Sequence, residues 1–183
     1  MYRTALILNI CLVSFLYSQT QAQTDIYGGL IGNTTWTTAG SPYVIHGDIS
    51  IQNGATLTIE PGVHVEISSQ DITFGGKDLS LTEIIVLENA SLVAEGLQTD
   101  SIIFSLIPGS QADDLWYGIE AVSGSSLTMQ YTSITNTHTA LLLGQVVSSN
   151  LENCQISDVS NLGLDIQGNS GTAISINNLI ILK

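Results

Sequence analysis

Met129-Gln130-Tyr131-Thr132-Ser133-Ile134, Leu151-Glu152-Asn153-Cys154-Gln155-Ile156 and Ile176-Asn177-Asn178-Leu179-Ile180-Ile181 are three copies of one pattern. Each opens on an alternation of apolar and polar residues, and each slips by one place at its middle, as between Asn153 and Cys154. Alternation by two puts one face of a strand inward and the other outward. A slip at the same place in every copy marks a corner, where the chain turns from one short strand into the next. Earlier in each turn, Gly118-Ile119-Glu120 corresponds to Ala140-Leu141-Leu142 and to Gly163-Leu164-Asp165, at offsets of 22 and 23 residues. A repeat of this length, built from short strands with a fixed corner, predicts an all-β fold: a parallel β-solenoid in which each coil stacks on the next. The leucine spacing and helical half of a leucine-rich repeat are missing. A β-sandwich is the competing architecture, but it does not require a corner to recur at constant offset.

Outward from these copies the repeat loosens. Ala55-Thr56-Leu57-Thr58-Ile59-Glu60-Pro61-Gly62 recurs as Ala90-Ser91-Leu92-Val93-Ala94-Glu95-Gly96, at an offset of 35 that exceeds one coil. The excess is assigned to residues 68–81, where Gly75-Gly76-Lys77-Asp78 reads as a turn inserted between strands. Gly28 to Ser41, rich in Gly and Thr around Trp36, is placed to cover the first coil. The expected organisation is a cap over residues 23–45 and about five or six coils over 46–183. The chain ends in the apolar Leu179-Ile180-Ile181-Leu182-Lys183, so further coils, downstream domains or a partner are expected over that end.

Residues 1–22 read differently. Met1-Tyr2-Arg3 carries one positive charge, an apolar stretch runs from Ala5 to Tyr17, and Thr20-Gln21-Ala22 supplies small residues for cleavage after Ala22. This is the pattern of a secretory signal peptide, and its apolar run falls short of the roughly 20 residues needed to span a bilayer. No transmembrane segment is expected elsewhere, and the location implied is secreted or at the cell surface. Beyond residue 22 the chain keeps all 16 of its acidic residues against only Lys77 and Lys183, with no arginine. That charge leaves no basic surface to neutralise phosphates and argues against nucleic acid as a partner. At 44% hydrophobic residues the chain must still bury a core, which excludes an acidic disordered tail. Cys154 is the one cysteine after residue 22, so stability must come from core and repetition instead of disulfides.

Gly47-Asp48-Ile49-Ser50-Ile51 and Gly54-Ala55-Thr56-Leu57-Thr58-Ile59-Glu60-Pro61-Gly62-Val63 resemble the opening coils of secreted bacterial β-helix proteins of the pectin-lyase-like superfamily. Trp116-Tyr117-Gly118-Ile119 and Asn153-Cys154-Gln155-Ile156 are similar to their later turns. The resemblance runs from about Thr34 to the end. It implies a right-handed parallel β-helix and the N-terminal part of a longer surface chain, but no single activity, because the superfamily holds lyases, hydrolases, adhesins and proteins of no known activity.

Judged against the enzymes of that superfamily, the candidate chemistry is thin. Its lyases combine calcium-binding carboxylates with a basic residue, often arginine, and its hydrolases cluster aspartates with His, Arg and Lys. Asp113-Asp114 is the one adjacent acidic pair and the only catalytic candidate, read first as a solvated loop before Trp116. Glu120 and His138, the latter assigned to a loop over residues 135–139, could join it at most. His64 and Glu66 share an outward strand face without a third metal ligand, and His138 has no recognisable partner; His46 is the remaining histidine. The glycine-rich calcium nonapeptide is missing, so no cofactor is expected beyond loosely held surface calcium. Cys154, on the parity of Ile156, is expected as a small core residue. The function read from these features is a non-catalytic secreted or cell-surface scaffold for adhesion or display, with a polysaccharide or other surface ligand as partner. The alternative is a carbohydrate-active module, a polysaccharide lyase or glycoside hydrolase.

Overall fold

Short runs of Val, Ile, Leu and Thr separated by Gly, Asn and Asp cannot sustain helices, and among the described residues they fold as fifteen parallel strands. The structure is a computed structural model and describes residues 23–168 and 173–183. The signal peptide expected over residues 1–22 lies outside the described residues.

The strands recur in threes. The first coil holds β1 (Thr24–Ile26), β2 (Gly29–Ile31) and β3 (Thr34–Trp36), and the second β4 (Tyr43–Ile45), β5 (Ile49–Ile51) and β6 (Thr56–Ile59). The third holds β7 (His64–Ile67), β8 (Glu83–Val86) and β9 (Ser91–Glu95), and the fourth β10 (Ile102–Leu106), β11 (Gly118–Ala121) and β12 (Ser126–Gln130). Beyond them β13 (Thr132–Leu143), β14 (Ser148–Ile166) and β15 (Ala173–Ile181) run through corners that the earlier coils break with loops. Each strand pairs in parallel with its counterpart one coil away, β1 with β4, β4 with β7, β7 with β10 and β10 with β13 along one face. The other two faces stack as β2–β5–β8–β11 and β3–β6–β9–β12. This is a right-handed parallel β-helix with three faces. Within the segment read as a cap, β1 to β3 already form paired rungs, and β4 belongs to the second coil.

The register reproduces the repeat. Ile119 pairs with Leu141 and Leu141 with Leu164, while Met129 pairs with Leu151 and Leu151 with Ile176. The corners are left-handed residues in one column: Tyr131 at φ +43°, Asn153 at +51° and Asn178 at +55°. Asparagine adopts this conformation more readily than most residues. It also stacks, since the Asn178 amide donates to Asn153 Oδ1 at 2.8 Å. The core is a set of inward columns such as Leu57–Leu92–Leu127, all fully buried.

The offset of 35 is one coil plus a loop: Leu57 pairs directly with Leu92, and the extra residues leave between β7 and β8. A second loop of the same kind leaves between β10 and β11, because Leu92 pairs with Leu127, again 35 residues on. Residues 135–139, expected as a loop, lie inside β13 instead. Their polar character misleads, because Thr137 and Thr139 are buried inside the coil.

Candidate functional site

Three carboxylates gather where the loop of residues 68–81 leaves the coil. In-register pairing of Ile49 with Ile84 sets Asp48 and Glu83 on adjacent rungs at the entry to β5 and β8. Both are buried, Glu83 with no exposed surface and Asp48 with 7%. The backbone N–H of Glu83 donates to Asp48 Oδ1 at 2.7 Å, locking one rung to the next.

Asp71 and Glu83 hold the loop from opposite ends. Asp71 Oδ1 accepts from the N–H groups of Thr73 (2.8 Å) and Asp48 (3.1 Å) and from the Thr73 hydroxyl (2.6 Å), while Oδ2 accepts from Gly75 N–H at 3.1 Å. Glu83 Oε1 accepts from the consecutive N–H groups of Lys77 (2.8 Å) and Asp78 (2.7 Å). The loop's glycines permit the approach, since a Cβ on Gly76 would lie 2.5 Å from Glu83 Oε2 and one on Gly75 would lie 3.0 Å from Asp48 Oδ2. Those two oxygens are buried with no hydrogen-bond partner.

Their environment divides the carboxylates. Burial opposes ionisation of Asp71, but its four donors outweigh it and hold Asp71 below the usual carboxylate range. Burial pushes Asp48 up to about 6, and the neighbouring Asp71 charge adds to the effect. Glu83 is pushed up to about 7, again chiefly by burial, with Asp48 and Glu120 reinforcing it. The nearby cation is engaged elsewhere: Lys77 Nζ lies 3.2 Å from Glu120 Oε1 on β11. Tyr117 and His138 stack beside this group with ring centroids 5.4 Å apart.

The outer side of the loop has the opposite character. Ile72, Phe74 and Leu79 are 53%, 69% and 63% exposed and, with Gln70, Asp71 and Ser80, line a shallow cavity of about 430 Å³. A second groove continues from Ser69, Gln70 and Ser80 to Asp113, Asp114 and Leu115 on the loop between β10 and β11. Asp113 is thus exposed at a groove edge, and Asp114 Oδ2 accepts from Gln111 N–H at 2.8 Å, closing its own turn. Glu120 and His138 group instead with Lys77 and Tyr117.

The remaining candidates are dispersed. His64 is exposed on β7 beside the half-buried Glu66, and His46 Nε2 donates to Asp25 Oδ1 (2.9 Å) on the first coil while stacking on Tyr27. Cys154 is buried, its thiol pushed up by burial and directed at the carbonyls of Met129 and Glu152. Among the described residues no group of three or more His, Cys, Asp or Glu is arranged to hold a metal ion, and no helix is long and apolar enough to cross a membrane.

Neither composition nor a site motif marks Asp48, Asp71 and Glu83 as a group. The signal was available, because the offset that carries Ala55 onto Ala90 also carries Asp48 onto Glu83. No protein family, curated protein or solved structure matches this chain.

Proposed function

We propose that this chain is a non-catalytic scaffold of the pectin-lyase-like kind, secreted or at a cell surface, serving adhesion or display. The observation that supports the reading is the two-sided loop over residues 68–81. Its inner side is fastened to the coil by Asp71 and Glu83, and its outer side presents Ile72, Phe74 and Leu79 to solvent. Large apolar side chains exposed together on a fastened loop mark an interaction surface more than a solubility feature. The polar groove beside them, with Gln70, Ser80, Asp113 and Asp114, suits a polysaccharide or other hydroxyl-rich surface ligand.

The carbohydrate-active alternative would rest on Asp113 and Asp114. An acid and base flanking a glycosidic bond need one carboxyl protonated and the other ionised; Asp114 Oδ2 accepts from Gln111 N–H, which ties that side chain to its own turn. The test is incubation with neutral and acidic polysaccharides, following both binding and product release. Binding that is lost on F74A/L79A, with no new reducing ends or unsaturated uronates, is the expected outcome. Product release abolished by Asp114→Ala would overturn the scaffold reading.

A further inference from the structure

The inner face of the loop poses a separate problem, because it buries more negative charge than its hydrogen bonds satisfy. Each carboxylate of the Asp48–Glu83 pair has one oxygen that accepts backbone N–H groups and one that has no partner. Asp71 from the loop and Glu120 from the adjoining coil add like charge around the pair, while the Asp78 carboxylate accepts from the N–H and hydroxyl of Ser80. Of the remaining titratable neighbours, Lys77 is bound to Glu120, Tyr117 is neutral at ordinary pH, and His138 stacks on Tyr117. An ionised carboxylate buried without a partner for one oxygen is costly, whereas a proton on that oxygen leaves the accepting oxygen free to keep its bonds.

We propose that residues 69–81 form a strap whose closure on the coil is set by a proton held on the Asp48–Glu83 pair. With the proton in place the strap lies closed, its N–H groups on Asp71 and Glu83. When both carboxylates ionise, the proton passes to solvent, the pair and Asp71 repel, and the strap lifts from β8. This builds on the display reading above: the same motion would reposition Ile72, Phe74 and Leu79, making the presented surface dependent on pH.

Linkage gives the direction. In the closed strap Glu83 titrates near 7, against an ordinary value of 4.5, so the closed form keeps a proton that the open form releases between those limits. Glu83 therefore favours closure most at mildly acidic pH and less as pH rises through about 7, whereas Asp71, held below the ordinary carboxylate range, loosens the strap only in stronger acid. Asp48, near 6 against 3.8, acts in the same sense as Glu83.

Hydrogen–deuterium exchange of the Thr73, Gly75, Lys77 and Asp78 amides tests this, each rate corrected with a free peptide of the loop sequence. Between pH 5 and pH 8 the wild-type protection should fall on the order of 50-fold, while β9 and β12 stay protected. Glu83→Gln keeps an accepting oxygen and cannot ionise, so it should lose most of the fall between pH 5 and pH 8 and keep only the smaller part that Asp48 contributes. Asp48→Asn gives a second, independent variant should Glu83→Gln fail to fold. Equal wild-type protection at both pH values would overturn the proposal, as would a pH response that survives in the D48N/E83Q double variant. Restoration of closure at pH 8 by calcium chloride would also overturn it, by making the pair a cation site. Exchange reads closure whether or not any ligand binds, so its outcome is separable from that of the polysaccharide assay.

Discussion

Leu92→Ala is the substitution that most directly interrogates the coil. Leu92 is fully buried on β9, in register between Leu57 on β6 and Leu127 on β12. Removing its three outer carbons leaves a cavity whose two facing walls are fixed by main-chain ladders on either side. Leucine-to-alanine changes in cores cost about 2–5 kcal/mol, the upper part of that range belonging to sites that cannot collapse. We expect about 3–5 kcal/mol here. Val93, the next residue, points outward between Thr58 and Thr128 and is half-buried, so Val93→Ala should cost about 0.5–1 kcal/mol. Urea unfolding can follow the fluorescence of the buried Trp36 in the first coil and Trp116 beside the fourth. With a denaturant slope of about 2 kcal/mol/M, the Leu92→Ala midpoint should fall by roughly 2 M and that of Val93→Ala by less than ~0.5 M. Coincident transitions for W36F and W116F, each leaving one reporter, would license the two-state treatment. Equal losses for the two alanine variants would refute the assigned parity, and with it the inward columns.

Three further outcomes are expected. Gly118→Ala should destabilise the protein by about 3 kcal/mol or more by thermal melt, because Gly118 sits at φ +138° and an added Cβ would come within 1.8 Å of the Thr139 carbonyl oxygen. Asp71→Ala removes four accepted hydrogen bonds at the loop base, and should raise amide exchange in residues 72–76 at every pH while leaving the coil's melting nearly unchanged. Cys154 should react with a thiol reagent only on unfolding, so labelling in native buffer should be at least ~100-fold slower than in urea.

The coils were readable because their corners disturb the sequence in a regular way. A left-handed residue at Tyr131, Asn153 and Asn178 breaks the parity of an otherwise alternating strand, and a break that recurs each turn is visible without coordinates. The first inserted loop was visible for the same reason, through the pairing of Ala55 with Ala90. The second was not, because the segment before Trp116 reads as ordinary polar loop and its length becomes informative only once Leu92 and Leu127 are paired. Thr, Asn and His around His138 have the composition of a solvated loop, whereas the coil interior tolerates Thr137 and Thr139. The carboxylate cluster was hidden more deeply. Nothing local distinguishes Asp71 from any acidic loop residue, and its hydrogen bonds exist only after Thr73 and Gly75 fold back over it and Asp48 is brought beside it. Asp48 and Glu83 look like strand-edge solubilising charges until the loop covers them.

The two inserted loops also change how the chain would come apart under tension. Strands stacked in parallel coils release one coil at a time when the ends are pulled, each rupture paying out the chain stored in that turn. A plain turn of 22 residues, such as that from Ser126 to Ser148, stores about 75 Å of extended backbone. The turns from Thr56 to Ser91 and from Ser91 to Ser126 store 35 residues each, or roughly 120 Å. A tether built this way would lengthen unevenly, with its two longest steps in the coils that carry the loops.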